Sequence, residues 1–112
     1  MAKPPKENSQ NKMAELQMLH QRLNIFGQQK QQLQIQLLET ENALRELQNS
    51  KAPAYKLIGD LLIEKNSSEL NKELTDRKED LNLRIKSLEN QESKTKDKAM
   101  ELQKEVAADF NN

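Results

Sequence analysis

His20 is the only imidazole among the 112 residues, and the chain has no cysteine. A zinc centre needs three or four His, Cys or carboxylate ligands converging on one point, so a lone histidine without thiolates leaves that chemistry unbuilt. His20 reads as a solvent-facing helix residue, with a ligand or catalytic role as the alternative. Glu39 and Glu41 come nearest to an acid pair, but residues two apart point to different sides of a helix and cannot share a proton. Ser67 and Ser68 have no base close in sequence to activate a hydroxyl, and they read instead as helix-start residues. The only glycines are Gly27 and Gly59, which are too few and too far apart for a phosphate-cradling loop. The expectation is a protein that is not an enzyme, with no catalytic residue, no metal ligand set and no cofactor.

The remaining chemistry is apolar and periodic. Leu16, Leu19, Leu23, Phe26, Lys30, Leu33, Leu37, Thr40, Leu44 and Leu47 alternate spacings of three and four, a heptad pattern with eight of ten seam positions apolar. A second heptad runs through Asn71, Leu74, Lys78, Leu81, Ile85, Leu88, Glu92, Thr95, Ala99, Leu102 and Val106. Four polar residues interrupt this second seam, which weakens packing but can fix register and partner choice. Asn66 or Ser67, ahead of Glu69, supplies its N-cap. Gln, Asn, Glu, Lys and Arg dominate the positions between seam residues, so the outer faces are solvated.

Composition agrees with an elongated helical design. Phe26, Tyr55 and Phe110 are the only aromatics and cannot fill an ordinary globular core. Eighteen basic and eighteen acidic residues cancel, so the electrostatic footprint of a nucleic-acid binder is missing. No run of about eighteen apolar residues offers a membrane span. The opening Met1 to Gln10 has charge and proline without the apolar stretch of a signal peptide. No nucleic acid, no membrane and a cytoplasmic location are expected.

Between the heptads, Pro53 ends the first helix because its ring cannot continue the hydrogen-bond ladder. The segment Tyr55 to Lys65 is rich in strand formers around Gly59-Asp60, which predicts two short antiparallel strands joined by a tight turn. A single buried strand or a helical segment is the alternative for an apolar run of this length. The division expected is a flexible tail over 1–11, a coiled-coil unit over 12–110 and a C-terminal tail over 109–112. Within the unit the helices cover about 12–49 and 67–108, with the hairpin at about 54–65. Folding at Gly59 makes the helices antiparallel neighbours: Leu44 meets Leu74, Leu37 meets Leu81, Leu33 meets Ile85, Leu19 meets Ala99 and Leu16 meets Leu102. In the middle, Lys30 falls opposite Leu88 and Phe26 opposite Glu92.

A two-stranded hairpin is marginal alone in water, and Leu57, Ile58, Leu61, Leu62 and Ile63 together forfeit several kcal/mol if left exposed. Pairing with other subunits covers these faces and closes the strand edges at once; the alternative is a hairpin tucked against its own helices. The sequence Tyr55-Lys56-Leu57-Ile58-Gly59-x-Leu61-Leu62-Ile63-Glu64-Lys65 is preceded by Gln28-Gln29-Lys30-Gln31-Gln32-Leu33 and Glu41-x-Ala43-Leu44-x-Glu46-Leu47. Flanked by long heptads, it resembles the beta class of prefoldin subunits over residues 13 to 106. The single hairpin fits the beta class, since the alpha class carries two.

The resemblance implies a mainly α fold, a long antiparallel two-helix coiled coil joined by a short β-hairpin that assembles into an intersubunit β-barrel body. It implies a hetero-hexamer with alpha-class prefoldin subunits, two alpha with four beta. It also implies unfolded polypeptide clients held without ATP and handed to a group II chaperonin. The oligomerisation residues would be Tyr55, Leu57, Ile58, Gly59, Leu61, Leu62 and Ile63. Client contact would fall to Met13, Leu16, Met18, Leu19, Met100, Val106 and Phe110, which the antiparallel fold gathers at the chain-terminal ends. Methionine is soft and unbranched and adapts to varied apolar shapes. Met13 and Met18 lie off the seam, which leaves scattered surface apolars as the alternative reading, while Leu16 and Leu19 also belong to the seam. An antiparallel coiled-coil spacer or tether without clients is the competing function.

Overall fold

Two long helices and one hairpin make up residues 6–111, the residues described by this computed structural model. Helix α1 spans Lys6–Asn49, strands β1 and β2 span Ala54–Ile58 and Leu61–Lys65, and helix α2 spans Ser67–Asn111. Helix α1 stops four residues before Pro53. Its last turn closes as the Ser50 amide donates to the Glu46 carbonyl at 3.0 Å, and the Ser50 hydroxyl accepts from the Ala52 amide at 3.1 Å. Asn66 is the N-cap of α2: its Oδ1 accepts from the Ser68 amide at 2.9 Å and from the Ser68 hydroxyl at 2.7 Å. Its carbonyl takes the first helical bond, from Leu70, and Glu69 in the first turn complements the positive end of the helix dipole. Gly27 does not interrupt α1.

All ten seam positions of α1 and all eleven of α2 are buried or half-buried, as the heptads require. The chain divides into two compact units, Gln31–Lys86 and the pair Met1–Lys30 with Ser87–Asn112.

In the unit Gln31–Lys86 the strands pair antiparallel from Ala54 opposite Lys65 to Ile58 opposite Leu61, leaving Gly59-Asp60 as a two-residue loop. Gly59 has φ of 59°, and among the described residues no non-glycine residue has a positive φ. Left-handed backbone at the first central position alone marks a type II′ turn, whose twist matches that of the strands. The two-strand reading of Tyr55 to Lys65 therefore holds over its single-strand and helical alternatives. Leu81 and Ile85 are the buried apolar residues here and Thr40 is the buried polar one. The Thr40 hydroxyl donates to the Gln36 carbonyl at 2.8 Å, so a polar seam residue is satisfied within its own helix.

In the other unit, Leu19, Ala99 and Leu102 form a buried cluster with Leu16 packed against it. These are the four residues expected to meet at this level, Leu19 with Ala99 and Leu16 with Leu102. Two expectations need correction. Residues 6–11 are helical and do not form a tail, and α2 continues through 109 to Asn111. The seam persists there in polar form, which apolar periodicity does not register. The Ser9 hydroxyl donates to Asp109 Oδ2 at 3.1 Å, and Lys12 Nζ reaches the same oxygen at 3.2 Å and Glu105 at 4.0 Å. The remainder of the expected tails, residues 1–5 and 112, lies outside the described residues. The second correction concerns the middle of the heptads: Lys30 is not left facing Leu88 but donates to Glu92 Oε1 at 2.9 Å. A long lysine stem reaches one layer past its direct opposite and neutralises the carboxylate that would otherwise face Phe26.

Candidate functional site

The hairpin presents its apolar side chains to solvent. Tyr55, Leu57, Ile58, Leu61, Leu62 and Ile63 are each between 40% and 68% exposed. The register places Ile58, Leu61 and Ile63 on one face with Lys56 and Lys65, and Tyr55, Leu57 and Leu62 on the other with Glu64. The sheet holds two strands in the described residues, so each keeps one unpaired edge. Five exposed aliphatics represent on the order of 5 kcal/mol of unused burial, and the two edges offer main-chain donors and acceptors for a further strand. An open groove of about 680 Å3 beside the hairpin is lined by Tyr55, Leu57, Leu70, Leu74 and Arg77 among others.

One carboxylate ties the hairpin to α2. Lys56 Nζ lies 3.1 Å from Glu73 Oε2 and Lys65 Nζ lies 3.4 Å from Glu73 Oε1. The hydrogen bond from Lys56 is the main reason the Glu73 carboxyl sits below the usual glutamate range, with Lys65 adding to it.

The chain-terminal ends of the helices carry the second surface. Met13, Met18, Met100 and Phe110 are exposed, Leu16 and Val106 are half-buried, and Leu19 is 4% exposed inside the cluster with Ala99 and Leu102. The proposed client residues thus split into free side chains and a closed core. In the same unit, Lys98 Nζ lies 3.5 Å from Glu15 Oε1, and Ser9 and Lys12 both bond Asp109.

The profile of the Prefoldin subunit family matches residues 10–112. The prefoldin subunit beta of Archaeoglobus fulgidus is 38% identical over 99 residues, covering 87% of this chain and 85% of that one. The chain belongs to the prefoldin family. The prefoldin subunit beta of Sulfolobus acidocaldarius is 35% identical over 87% of this chain and 79% of its own length. The crystal structure of the prefoldin beta subunit from Thermococcus strain KS-1 superposes with a TM-score of 0.85 at 31% identity, covering 96% of both chains. The single hairpin between two long helices is therefore that of a prefoldin beta subunit, and the family is one of chaperone subunits.

Within this prefoldin subunit several residues matter that the heptads did not single out. Glu73 lies between seam positions, where the sequence marks only a solvated face, yet it holds both strands. Ser9 and Asp109 fell in the expected tails. Ile25, Ile35, Leu38 and Leu83 are large apolar residues at least half exposed on the helices; all four lie off the seam, and that displacement is the signal by which they are found. His20 and Glu39 are exposed and Glu41 is half-buried. No helix among the described residues is long and apolar enough to cross a membrane.

Proposed function

We propose that this prefoldin beta subunit works without catalysis as an ATP-independent holdase in the cytoplasm. It binds unfolded polypeptides within a hetero-hexamer of two alpha-class and four beta-class subunits and passes them to a group II chaperonin. Beta subunits of this family assemble with other prefoldin subunits, and the hairpin is the surface suited to that role. Its aliphatics and open edges would be covered by hairpins of neighbouring subunits closing into a barrel body. The observation that carries the client-binding half is the exposure of Met13, Met18, Met100 and Phe110 on helix ends whose own core is already closed. Flexible thioethers and one free aromatic ring form an adaptable apolar surface that competes with self-association of an unfolded chain. Leu16, Leu19 and Val106 join client contact only where the helices part, because in the closed pair they face the seam.

The test is co-expression with an alpha-class prefoldin subunit, followed by native mass and by light scattering of a chemically denatured protein diluted into the complex. The reading predicts a mass of two alpha and four beta chains and suppression of aggregation that does not change with added ATP. A stable homodimer that ignores the alpha-class subunit and leaves aggregation untouched would favour the spacer instead.

A further inference from the structure

The hairpin has little to hold its direction. Its apolar side chains are exposed, and the link from β2 to α2 is the single residue Asn66. Among the described residues, the side-chain hydrogen bonds that join the hairpin to either helix both end on Glu73, one from each strand. Lys56 and Lys65 lie on the same face of the hairpin, so one carboxylate gripping both fixes the roll of the sheet as well as its distance from the first turns of α2. A single ion pair would leave rotation about its axis free, whereas two pairs from different strands do not.

We infer that Glu73 is a positioning residue for assembly, presetting the hairpin in the orientation that neighbouring subunits capture. The inference rests on the reading of the hairpin as the assembly surface. When only a fraction of a free subunit is competent to dock, association slows by that fraction, and the complex once formed is held by its own interface. Removing the grip should therefore lower the association rate and leave dissociation unchanged. Exposed ion pairs are individually weak, so the expected effect of Glu73→Gln is about two- to fivefold on association.

The experiment mixes the full chain with an alpha-class prefoldin subunit that assembles with the unmodified protein, and follows complex formation by stopped-flow light scattering and release by dilution. Glu73→Gln should slow formation about two- to fivefold at low salt, with the difference shrinking near 1 M salt, where the screening length falls to about 3 Å. In a Lys56→Met/Lys65→Met background the same substitution should have no further effect, since its partners are gone. Circular dichroism checks that helix content is retained. An unchanged association rate, a loss confined to faster dissociation, or an undiminished effect in the double-Met background would each overturn the inference. Ile58→Lys in the same assay separates the two claims. If it assembles normally, the hairpin is not the assembly surface and the underlying reading fails. If it does not assemble, the Glu73 result stands or falls alone.

Discussion

Leu81 and Leu83 are two residues apart on α2, yet Leu81 is 3% exposed and Leu83 is 68% exposed. Replacing each by alanine makes the same chemical change in the same helix, with the same small gain in helix propensity. The two variants therefore differ only in what the side chain covers. Burying a leucine side chain contributes about 1.5–3 kcal/mol, and truncation in a core costs about 2–5 kcal/mol once the residual cavity is included. The seam is a single layer between helices and can partly collapse, so the lower end applies: about 2–3 kcal/mol for Leu81→Ala. For Leu83→Ala the expectation is within about 0.5 kcal/mol of no change. With a urea m-value of about 2 kcal/mol per M, Leu81→Ala should lower the midpoint by about 1 M and Leu83→Ala should leave it in place. The assay is urea unfolding by circular dichroism at 222 nm, at equal subunit concentration. Equal shifts for both variants, or a larger one for Leu83→Ala, would refute the seam assignment of α2.

The glycines should respond in opposite directions: Gly27→Ala raises thermal stability by about 0.5–1 kcal/mol, since a Cβ there meets nothing within 4 Å of it in an otherwise continuous helix. Gly59→Ala, also unobstructed but at φ of 59°, costs about 1–2 kcal/mol by calorimetry through left-handed backbone strain. Ile58→Lys or Leu62→Lys should disperse the complex in sedimentation while helix signal survives, because each puts a charge on a surface to be covered; an intact complex with both would remove the hairpin from assembly. The hydrogen bond to Glu92 is the largest reason Lys30 holds its proton above the ordinary lysine range, so from neutral pH up to about pH 10.4 the pair contributes fully, and it fades as pH rises further. The urea midpoint of the unmodified chain relative to Lys30→Leu should accordingly be lower at pH 11 than at pH 8, and an identical difference at both would contradict it.

Heptad spacing located the seam positions from Leu16 to Leu47 and from Asn71 to Val106, and the strand formers around Gly59-Asp60 located the two-residue loop. These features have strong periodic or turn signatures: seam burial recurs every three or four residues, and a tight turn between strands needs glycine where φ is positive. The ends of the helices were less legible because Ser9, Lys12 and Asp109 continue the seam through hydrogen bonds and charge, and hydrophobic periodicity is blind to both. The Lys30 and Glu92 pair was missed for a related reason: opposing positions in a register do not account for a flexible side chain that spans a layer. Glu73 carried no sequence signal of its own, since its two partners lie 17 and 8 residues away on separate strands. For the client residues, the sequence alone left Met13 and Met18 between functional surface and scattered apolars. Both are exposed, as either reading requires, and the truncation below separates the two.

The central claim is that unfolded chains are held by the chain-terminal helix ends while the hairpin holds the assembly. It is tested most directly by deleting residues 1–18 and 100–112 from every beta subunit, verifying hexameric mass, and comparing truncated with intact complex in one aggregation assay by light scattering. The deletion removes Met13, Met18, Met100, Val106 and Phe110 but keeps the hairpin and the seam from Leu23 to Thr95. The account predicts normal assembly with loss of protection. Equal protection by the truncated complex would contradict it and place client contact elsewhere on the subunit.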